Sequence, residues 1–177
     1  SAKVGRWVAS REGQAVGVGF AEWYSWSSAR DERLASVFYR HVDPGDIADR
    51  DPEAVVGAVT HLIDVARHRE PQQALVRAVN PTSADNGWSC GRTVISVVTD
   101  DMPFLVDSVS AELNRMGVGI HLVVHPIVAV TRDEGGALVQ ADPPGTGPDS
   151  EPTVPDDVEA GGLESWMHIE VDWQPDP

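Results

Sequence analysis

The 177-residue chain predicts an α+β fold: a mostly antiparallel sheet with one long helix across it, preceded by two helices and a strand. Two observations lead there. Residues 94–109 switch from the two-residue period of a strand to the helical period across the turn Asp100-Asp101-Met102-Pro103, and a new apolar strand begins at Val118, after Gly117. Downstream, short alternating apolar runs separated by Gly- and Pro-bearing turns read as further strands. Strand, tight polar turn, helix, glycine, strand is the opening half of a small regulatory fold and contains no catalytic motif.

Taken in order, residues 1–27 mix Gly, Ala and Ser with Trp7, Trp23 and Trp26, show no sustained period, and read as an irregular lead-in. Residues 28–71 read as a two-helix extension. Ser28 and Asp31 have capping-box spacing, Leu34, Val37, Phe38 and His41 share a helical face, and Pro44-Gly45 is the expected stop. Asp51-Pro52-Glu53 supplies a side-chain cap, a proline at the first helical position and an acid at the positive dipole end. Val55, Val59, Leu62, Ile63 and Ala66 follow as the buried stripe, with Arg67, His68 and Arg69 expected in the last turn.

Residues 72–177 read as the α+β domain proper. Strands are expected at 73–80, 92–99, 118–125, 127–131, 137–140 and 164–173, and a helix at 103–116 burying Leu105, Val109, Leu113 and Met116. Val118, Ile120, Leu122 and Val124 are expected on one strand face, with Pro126 breaking the ladder. Asp133-Glu134-Gly135-Gly136 closes a hairpin. Segment 141–162 holds Asp142, Asp149, Glu151, Asp156, Asp157 and Glu159 and no base, so it is expected to be a flexible acidic loop. A right-handed crossover makes the strands at 92–99 and 118–125 parallel but not adjacent, leaving a slot between them. An edge left open there is expected to be covered by the strand at 73–80 or by a second chain.

Composition excludes several function classes. Net charge is −15, with 28 acids against 13 bases, a surface that repels phosphate backbones and anionic lipid heads; neither nucleic acid nor membrane is expected as a partner. The single cysteine, Cys90, allows no internal disulfide and fits a reducing cytoplasm; with no His or Lys beside it in sequence, it is expected to be inert. There is no long apolar span and no signal-peptide pattern. Neither a GxGxxG turn between strand and helix nor a phosphate-binding GxxxxGK[ST] motif occurs, so no cofactor is expected to bind this chain.

Three motifs then stand out together. Asp100-Asp101-Met102-Pro103-Phe104-Leu105-Val106-Asp107-Ser108-Val109, Gly119-Ile120-His121-Leu122-Val123-Val124-His125-Pro126 and Trp166-Met167-His168-Ile169-Glu170-Val171-Asp172 resemble the N-terminal region of the large bacterial NAD-specific glutamate dehydrogenases. Phe38-Tyr39-Arg40-His41-Val42, Asp51-Pro52-Glu53 and Asn80-Pro81-Thr82 with Gly87-Trp88 add to the resemblance, which runs from about residue 34 to 172. It implies an ACT-like, ferredoxin-like βαββαβ domain with its helices on one face, cut before the last helix and strand. It implies a non-catalytic regulatory or oligomerisation module, whose partners are other copies or other domains of the parent enzyme. That parent uses NAD to deaminate L-glutamate oxidatively to 2-oxoglutarate at a site outside this chain.

The resemblance also puts a candidate amino-acid effector site at Asp100, Asp101, Met102, Pro103, Phe104 and Leu105, since helix-start amides and the dipole favour a carboxylate. The competing reading is that Asp101 caps the helix itself. Ligand-binding ACT turns usually carry glycine just after the proline, where this chain has Phe104. A further alternative is a metal site, because His121 and His125 are four apart on a strand and His168 sits on another. Trp88, Trp166 and Trp173 are open to either interface or core roles.

Overall fold

The computed structural model describes Phe38, Tyr39 and residues 42–142 and 161–177. Among the described residues three helices, α1 (Pro44–Ala48), α2 (Pro52–Ala66) and α3 (Leu105–Arg115), accompany six strands. These are β1 (Leu75–Val79), β2 (Thr93–Asp100), β3 (Ile120–Val124), β4 (Ile127–Arg132), β5 (Leu138–Asp142) and β6 (Gly161–Val171). The strands form one antiparallel-paired sheet in the order β1-β2-β6-β4-β5, with β3 also pairing β6. No helix among the described residues is long and apolar enough to cross a membrane.

The organising element is β6. It pairs with β2 along its length from Thr93↔Val171 to Asp100↔Glu164, and on its other side with β3 and then β4. The expected slot between the parallel strands β2 and β3 is thus filled by the chain's own last strand. Pro126 removes one ladder donor, but its carbonyl accepts from the Trp166 amide at 3.0 Å, so β3 and β4 behave as one bent strand against β6. The outer edge of β2 is covered by β1, register Leu75↔Val98 to Val79↔Val94.

The helices do not share a face, which corrects the expectation of helices on one face. Val94, Val98, Leu122, Val124, Val128 and Trp166 pack under α2, whose Val55, Val59, Leu62 and Ile63 join the same core. Val97, Met167, Ile169 and Val171 pack with Leu113 of α3 on the opposite face. The cause is local: β2 and β6 lie inside the sheet and are buried on both faces, so each face requires a cover. The position beside β2 that a βαββαβ order assigns to its final strand is held here by β1, entering with α2 from the N-terminal side. Of the two covers expected for the open edge, the strand at 73–80 is the one the structure shows.

Other departures are smaller and have clear causes. The predicted helix before Pro44 lies mostly outside the described residues, although Phe38 and Tyr39 are buried in the α2 core. Pro44-Gly45 opens a helix instead of only ending one, because the Asp43 carboxylate accepts from the Gly45 amide at 2.7 Å. The start of α2 is as predicted, with Asp51 accepting from Glu53 N at 3.1 Å, but the helix ends at Ala66, before Arg69. A register shift between Ile120 and Leu122 turns Ile120 to the α3 face while Leu122 and Val124 face α2, so the predicted one-face set is split. Met116, expected in the core, is 63% exposed as the cap beyond α3. Ala141, Asp142, Gly161 and Gly162, expected in the acidic loop, belong to strands; that loop's residues 143–160 and the lead-in 1–27 lie outside the described residues.

Gly57, on the inner side of α2, touches the buried Trp88 so closely that an added Cβ would stand 2.1 Å from the indole Cγ.

Candidate functional site

The turn between β2 and α3 is built from both ends. The Asp101 amide donates to Leu163 O at 2.8 Å, extending the β2–β6 ladder one residue past the strand. Pro103 cannot donate and fixes its own φ, and Phe104 then adopts φ 66°, ψ 14° before α3 begins. A bulky residue in that left-handed region costs about 1–2 kcal/mol. Neither Met102 nor Phe104 belongs to either apolar core, and Phe104 is 76% exposed.

Both carboxylates of the turn are answered from within. Asp100 accepts from Arg69 Nη2. Asp101 accepts from the Ser165 hydroxyl, which in turn meets His125 Nε2 at 3.0 Å. The serine has one proton and gives it to Asp101, so His125 donates from Nε2 and accepts nothing there. Burial pushes the His125 pKa down, against the opposing charge of Asp101, in keeping with a neutral ring. Acid, hydroxyl and imidazole stand in the order that clamps a turn; a nucleophilic serine needs the imidazole between the other two. The expectation that Asp101 caps α3 is corrected: the helix start carries no side-chain cap, because Asp101 faces β6.

The three histidines of the metal alternative do not converge. His121 bonds Asp172 Oδ1 at 2.7 Å on the surface, and the Asp172 carboxyl is held low by that bond and by the Gly119 amide. His125 bonds Ser165, and His168, opposite Val124 in register, turns under α2 to Glu170. The bulge after Ile120 breaks the same-face relation that the spacing predicted. Among the described residues no group of three or more His, Cys, Asp and Glu is disposed to hold a metal ion.

Sequence reasoning missed two buried ionic networks on the α2 face of β6. At one end Glu164, 1% exposed, receives Arg132 Nε and Nη2 at 2.8 and 2.9 Å, Arg69 Nε at 2.9 Å and the Trp166 indole N–H at 2.8 Å. Burial pushes its carboxyl up, and those bonds and charges more than offset it. Arg69, expected at the dipole end of α2, is instead buried, with its own amide bonded to Gly136 O. At the other end Glu170 accepts from Arg50 and lies 3.4 Å from His168 Nε2. Burial again opposes ionisation, yet the bonds from His168 and Arg50 bring its pKa down to about 2. Tyr39, its hydroxyl on Val55 O at 3.0 Å, is pushed well up by burial and by Glu170. Burial, then the charge of Glu170, also raises the Cys90 thiol, which opposes thiolate formation. Trp88 and Trp166 are core residues and Trp173 faces outward.

Against known proteins, a family model described as "Glutamate dehydrogenase, ACT1 domain" matches residues 34–177. The NAD-specific glutamate dehydrogenase of Halomonas elongata is 35% identical over 150 residues, covering 85% of this chain and 9% of that protein. Its counterpart from Pseudomonas aeruginosa is 30% identical over 139 residues, covering 78% of this chain and 8% of that protein. The chain therefore spans less than a tenth of the length of these relatives. No solved structure matches it.

Proposed function

The chain belongs to the glutamate dehydrogenase ACT1-domain family, and from that premise we propose that it is a regulatory and assembly module of an enzyme that oxidises L-glutamate with NAD. It holds no part of that reaction. Its partners are other domains and other copies of the parent enzyme, in a reducing cytoplasm.

The observation that carries this reading is the internal commitment of Asp100 and Asp101, the two carboxylates of the candidate turn. A site for chemistry needs acids free to meet a substrate, and here both hold the turn to β6 and to the exit of α2. Beside these carboxylates the turn also leaves two large apolar side chains outward, Met102 and Phe104. Large exposed side chains of that kind serve contact between surfaces.

The test is deletion of the corresponding segment from a full-length relative such as the Halomonas elongata enzyme. The expected result is altered subunit assembly or effector response, with the Michaelis constants for glutamate and NAD of the remaining active sites within about twofold. Loss of turnover in an enzyme with unchanged assembly would overturn the reading.

A second reading, an amino-acid effector at residues 101–105, is favoured by the uncapped start of α3, whose first-turn amides receive no side-chain bond. Phe104 opposes it by occupying the approach. Calorimetric titration with the twenty amino acids at millimolar concentration decides: a saturable heat from one of them favours sensing, and none favours assembly.

A further inference from the structure

The chain has three asparagines, Asn80, Asn86 and Asn114, and the fold treats them differently. Asn80 is held at both ends of its side-chain amide, with Nδ2 donating to Gln174 O at 2.7 Å and Oδ1 accepting from Thr93 Oγ1 at 2.6 Å. The residue after it is Pro81, which has no amide hydrogen. Asn114 lies in the last turn of α3, where the backbone on either side is wound into the helix. Asn86 is exposed in the loop between β1 and β2, and Gly87 follows it.

That loop is tied together by Thr82. The Thr82 hydroxyl bonds Asp85 Oδ2 at 2.7 Å, and the Thr82 carbonyl accepts from the Asn86 amide at 2.8 Å. The Thr82 amide donates in turn to Asn86 Oδ1 at 3.0 Å. Gly87 has φ 76°, which glycine adopts without strain, and no carbonyl among the described residues takes its amide proton. Asn86 Cγ is therefore an amide carbon whose oxygen is held by an N–H donor. Next to it in sequence stands a backbone nitrogen that is unpaired and shielded by no Cβ.

We propose that Asn86 is a self-modifying site, at which the Gly87 nitrogen displaces the side-chain amide and water completes the conversion to a carboxylate. The Gly87 nitrogen gives its proton to hydroxide and bonds to Asn86 Cγ. The Cγ–Nδ2 bond then breaks, and Nδ2 takes a proton from water and leaves as ammonia, restoring the hydroxide and leaving a cyclic imide. Negative charge gathers on Oδ1 as the new bond forms, at the atom to which the Thr82 amide already donates. Water next adds to one of the two imide carbonyls and breaks that carbon's bond to nitrogen. Opening at Cγ gives aspartate, and opening at the main-chain carbonyl gives isoaspartate, whose main chain runs through Cβ and Cγ. Trp88, one residue beyond Gly87, is buried against Gly57, so the lengthened chain falls where the loop enters the α2 core.

Mass spectrometry of tryptic digests tests this on the full 177-residue chain, kept folded for weeks in neutral buffer. Cleavage after Arg77 and Arg92 leaves Asn80 and Asn86 in one peptide, where fragmentation tells them apart. The expected result is acid forms accumulating at residue 86 as two species of equal mass, with Asn80 and Asn114 intact. The rate should rise from about pH 7 to about pH 9, because the attacking nitrogen must lose its proton. Gly87→Ala should slow the conversion about tenfold by obstructing the approach of nitrogen to Cγ. The loop has room for that change, since an added Cβ at Gly87 meets nothing within 4 Å. An unmodified residue 86, equal conversion at Asn80 or Asn114, conversion confined to chains unfolded in urea, or a Gly87→Ala chain converting as fast as the wild type would each overturn the proposal.

Discussion

Arg69 gives the sharpest separation between what its position in sequence implies and what the fold does with it. As a basic residue at the end of α2 it would contribute through the helix dipole, a term of about 0.3–1 kcal/mol. In the structure its guanidinium is buried, donates to Glu164 at 2.9 Å and to Gln73 O at 2.8 Å, and also meets Asp100. Replacing it with leucine keeps much of the stem and removes every one of those bonds. Breaking a buried ion pair from one side costs about 3–5 kcal/mol, because the other charge stays behind. Glu164 keeps Arg132 and the Trp166 N–H, so the lower end applies, about 3 kcal/mol. Against a total stability of about 5–15 kcal/mol that is a large fraction, and it lowers the melting temperature by roughly 10 °C. Urea unfolding followed by tryptophan fluorescence should show a lower midpoint at unchanged slope for Arg69→Leu. In a double-mutant cycle with Glu164→Gln the two losses should fail to add by about 1–3 kcal/mol. A loss below about 1 kcal/mol, or additivity within about 0.5 kcal/mol, would refute the buried-network account and restore Arg69 to the surface.

Two further predictions follow from the other end of β6 and from α2. The Glu170 carboxyl lies at about 2, below the 4.5 of an unperturbed glutamate, so its stabilisation is complete above about 4.5 and disappears as pH falls towards 2. The gap in unfolding free energy between the wild type and Glu170→Gln should therefore close over that window; a gap that persists at pH 2 would count against it. Gly57→Ala improves helix propensity by about 1 kcal/mol, but its Cβ would stand 2.1 Å from Trp88 Cγ, and overpacking costs about 1–3 kcal/mol. The expected sum is a destabilised protein with red-shifted tryptophan emission, and a raised melting temperature would contradict the contact.

Much of the fold was legible because its signals are local. Asp51-Pro52 starts α2, the period change around Pro103 starts α3, and the two glycines after Glu134 close the β4–β5 hairpin. What was not legible depends on neighbours. The bulge after Ile120 lies next to Gly119, whose amide is held by Asp172 from 53 residues away in sequence. The fate of Arg69 depends on β6, which lies 95 residues further along. At the turn, the residues Asp100 to Leu105 were identified as a site candidate, yet their state is fixed by Ser165 and Arg69, neither of which carries a motif. Likewise His121, His125 and His168 have the spacing of ligands in one dimension only.

The alternation Glu164, Trp166, His168, Glu170 is the instructive case. Beside Met167, Ile169 and Val171 it reads as the solvated face of an edge strand, the ordinary outcome for an antiparallel sheet with one wet side. Yet β6 lies between β2 and the bent β3–β4 strand, and all four residues are buried under α2. A charge in that position is tolerable only if cations reach it, and they do so from three separate places: Arg50 before α2, Arg69 after it, and Arg132 at the end of β4. Apolar contact alone would let α2 slide along the sheet with little penalty, whereas two carboxylates six residues apart on one strand, each needing an arginine from a different end of the helix, admit one register. An amphipathic reading of α2 explains that it docks; the ionic row on β6 explains where. The same row fixes Asp100 through Arg69, while Ser165 on the opposite face of β6 holds Asp101, so the turn that presents Phe104 is anchored to both faces of that strand.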